Sequence, residues 1–505
     1  MDLSMEFQSN KVCAVVFSGI GRQSVASDFT LPDYCGDIER ILHCSGFVQL
    51  HTINANGDRL QADGEIEIRL LYLTDNGAPD VFEQHLPLSV SLQTPQAEQN
   101  GVLRAHASVD YLNCRALSPR KISLNGSVSV QFEVLQAKEE PIVCALPSCE
   151  ALTQQITMSS LVSLQQRVFD LSETLSLPTE FPSIGKLIRV QASASVQSVE
   201  AVENKLLLKG NLNIDVVYLT QDQTFQKLQH QLPISQVLDA PGVTTDSMID
   251  LSLEILSVYA QAKRDGADEM RLLDLAAKLN ATIKAYQKKT ITAITDCYAL
   301  NGLLQPELAQ RSFPLFFKQT LLSSRTSETI ETSVRSGRLL DACVTRVKTK
   351  IETASDRLQM TSDVTLLALV QDTDSGIHAV ERTVSLQMQE SMQLDTADVL
   401  FAPDLKVSVT GVQIDTDGHI HIDLNAEAVG NVFAVQQQNV LISASLQEND
   451  NQPDSQLVLY FGKTGDDLWS IAKRYQSTID LIRSENDLKD DTLPDNRLLL
   501  IPSAV

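Results

Sequence analysis

Two short patterns in the sequence contain residue types that could support chemistry. His419 and His421 would place two imidazoles on one strand face, where they could bind a metal ion, but no third ligand is evident nearby. Gly462-Lys463-Thr464 matches the end of a phosphate-binding loop, but Leu457 stands where that pattern requires its first glycine. The serine-hydrolase and zinc-protease motifs are absent from the sequence, and its many carboxylates are scattered rather than paired. We therefore predict no catalytic residue, no metal and no cofactor, and we expect that the protein is not an enzyme.

The cysteines indicate free thiols rather than a disulfide or zinc framework. None of them forms a Cys-x-x-Cys pair, and most lie in apolar, strand-like runs. Residues 1–11 lack the basic and apolar regions of a secretory signal, and no run approaches the ~18 apolar residues of a membrane span. We expect the protein to stay in the compartment where it is made, without a membrane span, and its thiols to be buried and free. The eight cysteines are Cys13, Cys35, Cys44, Cys114, Cys144, Cys149, Cys297 and Cys343.

Charge and composition restrict the classes of partner. The net charge of −24 repels phosphate backbones, so we expect no nucleic-acid binding. A basic partner, or solubility alone, accounts better for this acidity. The length of 505 residues predicts three or four domains, and an apolar content of 43% is enough for several cores.

The last fifty residues have the pattern of a small β-α-α-β module. Val458 and Tyr460 predict a strand, and either Asp466 or Asp467 can cap the helix that follows. An apolar helix face repeats at the spacing i, i+3, i+4, i+7, formed by Leu468, Ile471, Ala472 and Tyr475. A second helix follows Ser477 or Thr478, and the run from Leu498 to Pro502 predicts a closing strand.

The preceding chain contains an internal repeat. Residues 64–75 return as residues 210–221, with the two tyrosines, Tyr72 and Tyr218, in register at an offset of 146. The same offset joins Leu31-Pro32 to Leu177-Pro178, without a gap between these landmarks. A weaker third copy, which includes residues 337–340 and 365–372, has lost the tyrosine and the Leu-Pro pair. One offset over this span indicates duplication of a structural unit.

Within the repeats the hydrophobic period is that of strands. In residues 122–130 apolar residues and glycine alternate with serine and asparagine, which buries one face of a strand and leaves the other in water. Polar breaks such as residues 54–58 and 372–376 are typical of hairpin turns. Many short strands with regular turns predict a β-sandwich or a related unit. Helix is scarcer in the repeats, and residues 151–167, polar and rich in glutamine, are a candidate that would bridge the first and second copies.

The order of these motifs resembles the SPOCS domain of spore-coat morphogenetic proteins, over roughly residues 10–445. The segment Gly-Asp-Asp-Leu-Trp-Ser-Ile-Ala-Lys-Arg-Tyr, with the later Leu-Leu-Ile-Pro, resembles the LysM domain. The resemblance implies a mainly β protein: three tandem β-sandwich-like SPOCS repeats and a small βααβ LysM domain. The expected limits are repeat 1 at 1–150, repeat 2 at 151–290, a divergent repeat 3 at 291–448, a linker at 449–455 and the LysM domain at 456–505.

The resemblance implies a non-catalytic protein of spore-coat assembly. Such proteins act in the mother-cell cytoplasm at the forespore surface and bind a SpoIVA-like coat ATPase. LysM domains generally bind glycans that contain N-acetylglucosamine, so a peptidoglycan-binding protein of the cell wall or spore cortex is the alternative. The loop residues that would contact a glycan or partner are Gly465, Asp466, Asp467, Leu468, Asn486, Asp487 and Leu488. Individually these residues could instead only build the fold, with Leu468 in the core and Asp467 as a cap, and we expect Trp469 to pack rather than stack on a sugar.

Overall fold

The structure, a computed structural model, consists of three strand-built units followed by a small mixed module. It describes residues 4–94, 101–331, 337–372, 376–394, 398–415, 418–447 and 457–503. The predicted linker at 449–455 therefore lies outside the described residues. None of the helices in these ranges is long and apolar enough to cross a membrane.

The first unit contains β1 Glu6–Thr30, β2 Ile38–Asn56, β3 Arg59–Thr74, β4 Pro79–Gln93, β5 Val102–Ser118 and β6 Lys121–Ala145. The second contains β7 Glu150–Ser176, β8 Ile184–Val202, β9 Lys205–Thr220, β10 Phe225–Asp239, β11 Met248–Lys263 and β12 Leu272–Tyr298. The third contains β13 Leu303–Ile330, β14 Gly337–Thr353, β15 Arg357–Asp372, β16 Gly376–Ser391, β17 Asp398–Phe401, β18 Asp404–Ile414 and β19 Ile420–Gln447. The final module contains β20 Leu457–Gly462, α1 Leu468–Tyr475, α2 Ile479–Glu485 and β21 Arg497–Pro502.

Each unit is a sandwich of two antiparallel sheets, as the alternating pattern predicts. In the first unit, sheet I has the order β1-β6-β5 and sheet II the order β2-β3-β4. The second unit repeats this plan with β11-β12-β7 and β10-β9-β8, and the third with β13-β19-β17, to which β18 adds, and β14-β15-β16. Ile122, Leu124, Val128 and Val130 of β6 are buried between the two sheets of the first unit. Burial of a side chain of this size stabilises the sandwich by about 1.5–3 kcal/mol.

The three units close on one another in a cycle. In each unit the first strand of sheet II lies against the last strand of sheet II in another unit. The three contacts are β2 with β16, β8 with β4, and β14 with β10. Equivalent positions of the three middle strands meet in one shared core, for example Leu71, Val217 and Leu367. A buried ion pair between Arg189 and Asp341 joins the second unit to the third, with nitrogen–oxygen distances of 2.8–3.1 Å. The repeats therefore pack into one body and are not separate domains joined only by linkers.

The repeated glycine has a specific structural cause. A bulge in β2 places the carbonyl oxygen of Gln49 only 1.9 Å from the position that a Cβ on Gly64 would occupy. The bulge in β8 does the same at Gly210, where the Ser195 oxygen is 2.2 Å from that position. In the third unit β14 pairs regularly at this point, opposite the buried Met360. The third copy thus tolerates a side chain where the first two require glycine.

Two sequence predictions need correction or adjustment. Residues 151–167 are not a helix, because they belong to β7, which pairs with β12 along its length. Ile156 and Met158, two residues apart, are buried in a core shared by the three units, so the period is that of a strand. The last strand of the second unit continues to Tyr298, beyond the limit of 290 expected from the sequence. We propose 150–298 as the extent of that unit.

Candidate binding site of the C-terminal module

Side-chain caps fix both helices of the module. The Asp467 carboxylate accepts a hydrogen bond from the Ser470 amide at 3.2 Å, so α1 begins at Leu468. The Thr478 hydroxyl accepts from the Leu481 amide at 3.2 Å and starts α2 in the same way. Both caps agree with the sequence prediction. The rejected phosphate-loop residues Lys463 and Thr464 belong to the turn between β20 and α1.

The loop before α1, which contains four of the predicted contact residues, lies against residues 491–493, a few residues beyond the predicted loop at 486–488. The Leu468 amide donates to the Asp491 carbonyl at 2.8 Å, and the Leu493 amide donates to the Asp466 carbonyl at 2.9 Å. The Gly465 amide donates in turn to the Leu493 carbonyl at 2.8 Å. These bonds bring the segment before α1 against the segment that follows α2, at one end of the module.

Three of the seven predicted contact residues are held within the fold. Leu468 is fully buried and Leu488 is 8% exposed, and both belong to the core of the module. The Asn486 side chain bridges to β21, donating to the Leu500 carbonyl at 2.6 Å and accepting from the Leu500 amide at 2.7 Å. Their side chains therefore shape the loops from inside.

The other four predicted residues reach the surface. Asp466 braces its loop by accepting from the Lys463 amide at 2.9 Å and the Tyr460 hydroxyl at 3.1 Å, and the second of these bonds raises the pKa of Tyr460. Asp467 is exposed but serves as the helix cap. Gly465 and Asp487 are exposed, and both have positive φ, 89° and 53°. Gly465 has no side chain, and the Asp487 side chain takes part in none of the contacts described above. These two residues are therefore the members of the set most open to a ligand.

Sequence reasoning missed an exposed apolar surface on the module. Leu457, Leu459 and Phe461 project from one face of β20, and Leu498 lies beside Phe461 on β21. We call these four residues the apolar sheet face. Their exposures are 48%, 62%, 64% and 58%. The signal was present in the sequence: every residue from 457 to 461 is apolar, whereas a two-stranded sheet over two helices needs only alternate residues for its core.

Trp469 fixes the module to the second unit. Its ring packs edge-on against Tyr298, with ring centroids 5.0 Å apart, and its indole N–H donates to Asp296 at 2.9 Å. Lys473, one turn further along α1, donates to the same carboxylate. The Tyr298 hydroxyl donates to the Ser477 carbonyl at 2.8 Å. The packing role expected for Trp469 is confirmed, and its partner lies in another unit.

The rejected histidine pair has a local explanation. His419 Nδ1 and His421 Nε2 both contact the Asp415 carboxylate, at 3.0 and 3.3 Å. The backbone amide of His419 also donates to this carboxylate, which lowers the pKa of Asp415 to about 2. Within the residues that the structure describes, no group of three or more His, Cys, Asp or Glu side chains is arranged to hold a metal ion.

Comparison with protein families assigns two kinds of domain to the chain. The family model described as SipL, SPOCS domain, matches residues 37–117 and 183–263. Both matches span the second to the fifth strand of a unit, and they are offset by 146 residues at each end. The LysM model matches residues 463–502. No curated protein and no solved structure matches the chain significantly.

Fold and matches together define a modular protein of binding-type domains: β-sandwich SPOCS units followed by one LysM module. In its domain content the chain matches a SipL-like SPOCS and LysM protein. The two matches lie in the first and second units, where the glycine and its bulge are present. The third unit keeps the strand order without those features.

Proposed function

We propose that this chain is a non-catalytic assembly protein of the spore envelope. It recruits or anchors coat morphogenetic proteins at the forespore surface, on the mother-cell side, and its LysM module is a protein-binding module. The partner we propose is a SpoIVA-like coat ATPase. The SPOCS and LysM matches support a sporulation-related role.

The observation that carries this proposal is the apolar sheet face. Four large apolar side chains, each 48–64% exposed, lie together on a module of about fifty residues. Contiguous apolar surface of this kind is typical of protein–protein contacts, in which aromatic and aliphatic side chains form the buried centre. The hydroxyl groups of a sugar would lose water on such a surface without gaining hydrogen-bond partners there. Because the chain has a net charge of −24, basic residues around the partner's contact surface would strengthen the contact.

A pull-down with the full-length chain tests this proposal. Leu459→Ser combined with Phe461→Ser removes the centre of the apolar sheet face, and we expect it to reduce recovery of the coat ATPase from sporulating cells at least tenfold. Leu481→Ser, at a 38% exposed position on α2, is the matched control and leaves recovery unchanged. Removal of residues 456–505 abolishes recovery. Equal recovery with the double variant and the unaltered chain would refute the role of this face.

Peptidoglycan binding is the second candidate function, because residues 463–502 match the LysM model and the loop before α1 lies against the segment that follows α2. Gly465 and Asp487 would then contact the glycan with their backbone and side-chain groups. Titration of the full-length chain with soluble muropeptides tests this reading. Saturable binding at millimolar sugar that Asp487→Asn weakens supports it, and no saturable binding removes it.

A further inference from the structure

Cys44 and Cys114 lie opposite each other across the open side of the first sandwich. Cys44 is on β2, an edge strand of sheet II, and Cys114 is on β5, an edge strand of sheet I. The two edge strands run alongside each other, since a Cβ on Gly46 would lie 3.3 Å from both Leu112 and Val109. Cys44 lies two residues before Gly46 on β2, and Cys114 lies two residues after Leu112 on β5. Side chains two residues apart share a strand face, so Cys44 and Cys114 face each other.

Both cysteines face the sandwich interior near its rim. They pack against the same two apolar clusters, together with Phe29, and both are free and partly exposed. The interaction between the two thiols raises the pKa of Cys44 and lowers the pKa of Cys114. Cys114 is therefore the thiol that more readily becomes the reactive thiolate.

The other two units supply an internal comparison. By strand register, Val190 and Ala260 hold the equivalent positions in the second unit, and Val344 and Val409 in the third. All four are partly buried and pack on the cores of their own sandwiches. The position thus requires small apolar side chains, and the first unit fills both places with cysteine.

We propose that Cys44 and Cys114 are a redox-active pair, which a peroxide converts into a disulfide that joins the two sheets of the first unit. The Cys114 thiolate attacks hydrogen peroxide, releasing hydroxide, and becomes a sulfenic acid. The Cys44 sulfur then attacks the sulfenic sulfur, forming the S–S bond and releasing water. In total two thiols and one peroxide give one disulfide and two waters. This modification site is independent of the function proposed for the LysM module.

The disulfide would close a long loop, from β2 to β5, and would hold together the edges of two sheets that no backbone ladder joins in the described sheets. Crosslinking of this kind stabilises chiefly by restricting the unfolded chain. We therefore expect the oxidised protein to unfold at a higher temperature than the reduced protein.

Peptide mass spectrometry of the full-length chain tests the pair. After brief treatment with hydrogen peroxide and alkylation of free thiols, we expect one linked peptide pair containing Cys44 and Cys114, lighter by two hydrogens, with the other cysteines alkylated. Cys114→Ala leaves Cys44 alkylated and removes the shift in unfolding temperature. Cysteines introduced as Val190→Cys and Ala260→Cys into the Cys44→Ala, Cys114→Ala chain form the same link in the second unit. The proposal fails if peroxide links Cys44 to Cys35, or oxidises Cys114 to a sulfinic acid with no link.

Discussion

The indole nitrogen of Trp469 lies 2.9 Å from the Asp296 carboxylate, so that the LysM module is tied to the end of β12 in the second unit. The same carboxylate accepts from Lys473, and the Trp469 ring packs on Tyr298. One face of α1 is therefore committed to the rest of the chain. The apolar sheet face and the two loops belong to other parts of the module and keep exposed residues.

Asp296→Ala should loosen this docking. It removes both hydrogen bonds that Asp296 accepts from the module, one of them from a partly exposed lysine, so we expect docking to weaken by about 1–2 kcal/mol. Trp469 is the only tryptophan in the chain, and its fluorescence therefore reports this contact alone. The emission maximum should move to longer wavelength in Asp296→Ala and stay in place in Asp222→Ala, at an exposed turn in the second unit. An unchanged spectrum in Asp296→Ala would contradict the contact.

Docking should weaken only in acid. Burial opposes ionisation of Asp296, but the hydrogen bonds from Lys473 and Trp469 outweigh it and lower the pKa of this carboxyl below 3.8. A lowered pKa in the docked state means that docking is fully favoured above the usual pKa and is lost as pH falls through the lower one. Trp469 emission should therefore be constant from pH 8 to about 5 and shift below about 4. Asp296→Asn should flatten this change while circular dichroism still shows folded strands; a shift near pH 6 would contradict it.

The Arg189–Asp341 pair should be essential to the joint between the second and third units. Both side chains are less than 10% exposed, so Asp341→Ala leaves a buried guanidinium without its partner and should cost about 3–5 kcal/mol of unfolding free energy. Replacing both residues by leucine should cost less than the single change, because no buried charge remains. Urea denaturation measures both. Arg264→Ala, which breaks a solvent-exposed pair with Asp268, is the control and should have little effect.

Alanine at Gly64 or Gly210 should destabilise its unit although each glycine lies in a strand. The added methyl group would overlap a backbone carbonyl of the neighbouring strand, which must then move, at a cost of about 1–3 kcal/mol. Gly266→Ala is the matched control, since nothing lies within 4 Å of its Cβ position. Thermal unfolding of the three variants distinguishes them, and a tolerated alanine at Gly64 and Gly210 would argue against the bulge as the reason for the repeated glycine.

The sequence predicts the strand content, the sandwich and the LysM module because each is encoded by a local period or a cap. The equivalence of Tyr72 and Tyr218 in the repeat is an example: both are fully buried, and each hydroxyl lies within hydrogen-bond distance of a carbonyl oxygen 36 residues upstream, that of Gly36 or Pro182. The arginines that hold the Leu-Pro pairs escaped notice. Arg120 donates to the Pro32 carbonyl and Arg271 to that of Pro178, but these arginines are offset by 151 residues rather than 146.

What the sequence could not predict depends on contacts between distant parts of the chain. The cyclic arrangement of the three units is held by contacts between strands such as β2 and β16. No local sequence pattern encodes such a contact. The error at 151–167 has the same origin, since a polar segment becomes a strand because β12 pairs with it. At the candidate site, the helix caps follow from single residues, whereas the exposure of Leu459 and Phe461 depends on the absence of a second layer over β20 among the described elements.

Competition binding on the full-length chain tests the central claim, that the LysM module binds a protein through its apolar sheet face. The coat ATPase would be immobilised, and its binding to the chain measured with and without soluble muropeptide, for the unaltered chain and for Leu459→Ser with Phe461→Ser. The account predicts strong binding that millimolar muropeptide leaves unchanged and that the double variant weakens at least tenfold. Undiminished binding by the double variant, together with loss of binding in muropeptide, would contradict it.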